Sequence, residues 1–151
     1  MLEFLLGTNL SEVLLIHVET DEGSWPMSDS VVFVADGQPH QFAHHDWELS
    51  VHEIDKPCPI IFGWYPDLRH QRLVAAPHFQ SPGIVSEVSA FWYARDGFLG
   101  AEIVTSTGGV SVRMEDGEDL EVGPAGGVYE LTERSRDGLE VKCSRLAGTG
   151  I

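Results

Sequence analysis

Asp-Gly occurs four times in this chain, at Asp36-Gly37, Asp96-Gly97, Asp116-Gly117 and Asp137-Gly138, each time between stretches rich in apolar residues. Both residues tolerate a positive φ, which the two-residue type I′ turn demands and which matches the twist of the strands it joins. The last three recur about every twenty residues, the length of one up-and-down pair of strands with its turns. A chain punctuated this way is constrained to an antiparallel meander. The expected fold is all-β: a single antiparallel sandwich or partly closed barrel of roughly nine to eleven strands, built from Asp-Gly-turned hairpins with little helix.

Periodicity places the strands. In the second half, 98–106 reads as a strand ending at Thr107-Gly108-Gly109. Val110, Val112 and Met114 then alternate with Ser111, Arg113 and Glu115, the pattern of a half-buried strand. A return follows with Leu120 and Val122 inward, then the glycine-rich break at 123–127. The segments 128–135 and 139–145 read as a hairpin about Asp137-Gly138. In the first half, 13–18 is apolar except for His17 and reads as a central strand. The segment 21–29 reads as a loop, 31–35 and 41–43 as a hairpin about Asp36-Gly37, and 47–52 as an alternating strand. Residues 55–82 hold five prolines and at most two short strands, 60–64 and 73–76. Ser81-Pro82 has the look of a helix start, so a short helical turn is expected there before a strand from about Val88. Val32, Gly37, Leu49 and Val51 lie 71 residues before Ile103, Gly108, Leu120 and Val122. Two similar β-units or two independent meanders account equally well for that echo.

With 151 residues the chain suits one β-rich domain over residues 1–151, with 145–151 as a frayed tail. Nine Lys and Arg against twenty-four Asp and Glu leave a formal charge of −15. Such a field opposes nucleic acid, which needs Lys and Arg to displace its counterions, and anionic membrane surfaces. It favours solubility, or fast steering toward a basic partner. The apolar start at 1–7 is short and carries Glu3 in place of a basic leader region, and no stretch approaches the roughly 20 apolar residues of a membrane span. A soluble, cytoplasmic protein is expected. Cys58 and Cys143 lack C-x-x-C spacing, as reduced structural cysteines would.

Two groups of side chains could carry function. His40, His44, His45 and His52 are interleaved with Asp46 and Glu48. On a single extended strand, His44, Asp46, Glu48 and His52 would share one face, with neighbours about 7 Å apart from the ~3.3 Å rise per residue. Imidazole and carboxylate together suit a divalent transition metal, or a general acid and base. A polar face opposite Trp47, Leu49 and Val51 would use the same residues without binding anything. The second group is acidic: Glu115, Asp116, Glu118, Asp119 and Glu121, clustered about one turn, with Tyr129 as a possible aromatic anchor. The trio Phe91, Trp92 and Tyr93 must point to both faces of a strand, which suits a second packed layer, a ligand cavity or a homodimer contact.

No G-x-S-x-G, H-E-x-x-H, phosphate-binding glycine loop or pair of C-x-x-C motifs occurs. The sequence therefore favours a non-catalytic acidic binding protein with no cofactor, inhibitor- or immunity-like toward a basic protein partner. The alternative is a β-barrel that binds a small ligand or metal and could be enzymatic.

Overall fold

A computed structural model describes residues 2–45, 48–54, 71–79, 81–93, 97–115, 119–126 and 139–146. Among them are ten strands and one three-residue 3-10 turn, Glu3–Leu5. The strands are β1 (Asn9–Thr20), β2 (Gly23–Ala35), β3 (Gln38–His45), β4 (Glu48–Glu53), β5 (Gln71–Ala75), β6 (Gly83–Tyr93), β7 (Gly97–Thr105), β8 (Gly108–Glu115), β9 (Asp119–Pro124) and β10 (Leu139–Arg145). Every pairing between them is antiparallel. The hydrogen-bonded path runs β4-β3-β2-β1-β6-β7-β8-β9, with β5 on β1 and β10 on β6, and it does not close into a barrel. It folds over at the β1–β6 seam, so that β9 comes against β2 and β4 against β7.

Two expectations fail. The segment 21–29 is not a loop: Asp21 and Glu22 alone turn the chain, and β2 begins at Gly23. Its Gly, Pro and Asp residues signal a break, but the long partner strand β1 supplies a ladder as far as Thr20–Gly23. Nor is there a helical turn at Pro82, since β6 starts at Gly83. Gly83 and Ile84 pair with Leu10 and Asn9, and that long-range ladder overrides a local helix signal. The Asp36-Gly37 turn is as expected: φ is 49° at Asp36 and 80° at Gly37, both positive as type I′ requires. Tyr93 pairs with Gly97, at the end of the β6–β7 hairpin. Gly117, Gly138, Trp47, Tyr129 and the segments 60–64 and 128–135 lie outside the described residues.

The main core fills the space between the folded-over sheets. Leu10, Val13, Val31, Phe33 and Phe42 enter from one side, and Val85, Val88, Phe98, Ile103, Val110, Val112 and Met114 from the other. Phe42 is its centre, edge-on to Phe33 at 5.7 Å and to Phe98 at 5.5 Å, the geometry that aromatic quadrupoles prefer. A second cluster, Leu14, Ile16, Val18, Val32, Val34 and Ile54, is buried on the other face of β1 and β2. Being covered on both faces explains why these two strands read as unbroken apolar runs.

The two halves are built alike. Leu10–Ala35, Glu12–Val34 and Val13–Phe33 pair in the first half as Val85–Thr105, Glu87–Val104 and Val88–Ile103 pair in the second. Each β1-type strand bulges at the same place, at Ser11 and at Ser86. The two serine hydroxyls donate to equivalent carbonyls, Val34 at 3.2 Å and Val104 at 3.4 Å. The Asn9 N–H donates to Asp36 Oδ1 (2.9 Å), and the Ile84 N–H to Ser106 Oγ (3.1 Å). His44–Leu49 matches Met114–Leu120, and Leu14–Ala75 matches Ser89–Cys143. A quasi-two-fold axis therefore passes through the Asn9–Ile84 pair. It accounts for the echo in the sequence at Leu49/Leu120 and Val51/Val122. At Val32 and Gly37 the echo is one residue out of step, since Phe33 is the counterpart of Ile103 and the turn Asp36-Gly37 the counterpart of Ser106-Thr107.

Candidate functional site

The histidines of the first half divide between the faces of one sheet. The chain turns back after His45 and resumes as β4 at Glu48, so His44 and His52 belong to different strands rather than to one. His44 opposes Leu49 and His52 opposes Gln41. Side chains alternate along a strand, so those two pairs face opposite ways. His40 and His44 point with Phe42 into the main core, where His44 lies 6.5 Å from the Phe98 ring. His52 lies on the other face, its Nε2 3.0 Å from Ser50 Oγ. His44 and His52 thus do not serve one ion together. Asp46 lies outside the described residues, and Glu48 is described in its backbone alone. Among the described residues no three His, Cys, Asp or Glu side chains converge as a metal would require.

His40 is the histidine with the most marked environment. It is buried, packs against Phe4 with ring centroids 4.7 Å apart, and pairs across the ladders with Phe33 and Glu53. Burial pushes its imidazole below the ordinary value, and the Glu53 carboxylate pulls part of the way back. At the start of the chain Glu3 is held below the usual carboxylate range. The main cause is a hydrogen bond from the terminal amino group, followed by its own backbone N–H, with the Ser144 hydroxyl contributing less.

The acidic group lies along the β8–β9 hairpin. Arg113 and Glu121 are cross-strand partners and form an ion pair at 2.9 Å. Glu115 and Asp119 close that ladder two positions further on and are described in their backbone alone. Asp116 and Glu118 lie outside the described residues. In comparisons with known proteins, no protein family, curated protein or solved structure matches this chain.

The quasi-two-fold axis relates these two groups, which their sequences give no reason to connect. His45–Glu48 closes the β3–β4 ladder where Glu115–Asp119 closes that of β8–β9. One frame is thus built twice, with His-Asp-Trp-Glu (45–48) at one tip and Glu-Asp-Gly-Glu-Asp (115–119) at the other. A signal for this lay in the Leu49/Leu120 and Val51/Val122 echo, the positions immediately after each tip.

Proposed function

We propose that this protein is a non-catalytic binding protein whose acidic β8–β9 hairpin docks a basic protein, in the manner of an inhibitor held against a cationic target. The observation that carries the reading is charge balance. Among the described residues the basic side chains Arg72, Arg113 and Arg145 each pair with a glutamate, Glu19 at 3.2 Å, Glu121 at 2.9 Å and Glu87 at 2.9 Å. Over the whole sequence acidic residues exceed basic ones by fifteen. The closing pair of the equivalent hairpin in the first half is His45 with Glu48, so the frame does not call for a carboxylate at the place of Glu115.

Long-range steering by such a surface is screened beyond a Debye length of about 8 Å at physiological ionic strength. The association rate with a basic partner recovered by pull-down should fall steeply as salt rises, measured by stopped-flow or surface binding. The variant E115K/E118K/E121K should lose both the rate and its salt dependence. A partner indifferent to salt and to those reversals overturns the docking role of this hairpin.

A further inference from the structure

Residues 2–6 bridge the two sheets. Phe4 lies on the imidazole of His40 in β3, with ring centroids 4.7 Å apart. Leu2 and Glu3 reach the other sheet, lining a cleft with Val88, Ala90 and Trp92 of β6 and Ser144 of β10. Leu2 and Leu5 are buried in the main core, but Phe4 is one of the two large apolar side chains exposed among the described residues. A buried imidazole thus lies under a thin cover. The quasi-two-fold axis supplies an internal reference for it. Phe33 pairs with His40 as Ile103 pairs with Val110, and His40–Glu53 matches Val110–Pro124. The second half fills this place with a fully buried valine, so packing gives no reason for a titratable ring there. What histidine adds is a charge that appears as pH falls below neutrality.

We propose that residues 2–6 form a strap that acid loosens: charging of His40 beneath Phe4 favours the form in which the strap has lifted and the imidazole meets water. A buried cation is costly, and burial accordingly pushes His40 below its ordinary value. Glu53 on β4 is the carboxylate opposite it and offsets part of that effect. Phe33 on β2 and Phe4 on the strap are uncharged, and His44 shares its face of β3. Glu3, beside Phe4, is held below the usual carboxylate range by the terminal amino group and its own backbone N–H. It therefore stays ionised at pH 5.5 and does not titrate with His40. Lifting the strap returns His40 to its ordinary titration near 6.5. The lifted form then binds the extra proton, so acidification from pH 7.5 to 5.5 favours it by up to about tenfold. Lifting also uncovers the apolar wall of Val88, Ala90 and Trp92.

Amide hydrogen exchange of the full-length protein, labelled with ¹⁵N and corrected for intrinsic rates, is compared at pH 7.5 and 5.5. The N–H groups of Leu5 and Leu6, bonded to the Leu2 and Glu3 carbonyls, report the strap. That of Val112, in the middle of β8, reports global unfolding. Protection at Leu5 and Leu6 is expected to lie below that at Val112 and to fall several-fold on acidification, with about tenfold as the ceiling. His40→Val, which installs the residue of the second half, should leave the protection of Leu5 and Leu6 the same at both pH values. Should that variant fail to fold, His40→Phe makes the same comparison. Exchange at Leu5 and Leu6 that matches Val112, that is indifferent to pH in the native protein, or that keeps its full acid response in the variant overturns the proposal.

Discussion

Packed against Phe4, with Phe33 and Glu53 opposite it in the two ladders, His40 titrates below its unfolded value near 6.5 because burial disfavours its charged form. The unfolded chain then binds the extra proton between those two values. The contribution is fully present above about pH 6.5 and is lost as pH falls through that point toward the folded pKa. Urea unfolding at pH 7.5 and 5.5 should show a larger loss of stability on acidification in the native protein than in His40→Phe. An identical loss would remove His40 from the pH response. Gly108 and Gly109 offer a second contrast at this scale. Both have strongly positive φ, 131° and 130°. A Cβ at Gly108 meets nothing, whereas one at Gly109 runs into the Ile103 carbonyl oxygen. Gly108→Ala should cost about 1–3 kcal/mol from backbone strain, and Gly109→Ala clearly more. Equal midpoints in a denaturant series would refute the distinction.

The paired bulges are the elements most open to test. Ser11 and Ser86 hold equivalent kinks with one hydroxyl hydrogen bond each. Ser11→Ala and Ser86→Ala should each cost about 0.5–1.5 kcal/mol. The double variant should sum them to within about 0.5 kcal/mol, because the two serines share no partner. Val112, at 1% exposure in the best-patterned strand, should lose about 1–3 kcal/mol on truncation to Ala, read by the same unfolding series. The apolar face of that strand was legible, since Val110, Val112 and Met114 are buried as their alternation has it. The other face was less so, because Arg113 is half-buried and Ser111 is buried with its hydroxyl on the Pro124 carbonyl. Asp36-Gly37 was legible because its turn chemistry is local. The extent of β2 and the start of β6 were not, since both are set by ladders to residues far away in sequence. The histidine group misled for the same reason. A turn after His45 reverses parity, so residues that share one face of a single strand separate onto two.

At the scale of the molecule, the seam joining the halves is short. Asn9–Ile84 and Leu10–Gly83 pair, and the flanking bonds Gly7 N–H to Val85 O and Val85 N–H to Thr8 O are both 2.9 Å. Leu2 and Ser144 line one cleft, so the described ends of the chain meet where the axis puts the counterpart of the 76–82 connection. A circular permutant joining residue 146 to residue 2 through a few glycines, and opened near His78, should therefore fold with a thermal midpoint close to the native one. A permutant that stays unfolded would show that the 76–82 connection has no counterpart at the chain ends.

A two-fold frame written in one polypeptide is the arrangement left when a symmetric pair of identical five-stranded units is fused end to end. While the units are separate chains, every substitution appears twice, so a tip cannot gain carboxylates without its twin gaining them too. Fusion lifts that constraint. One closing pair can hold His45 with Glu48 while its twin becomes Glu115 with Asp119, and one position can keep Leu15 while its twin shrinks to Ala90. The strand ladder that both share is left untouched.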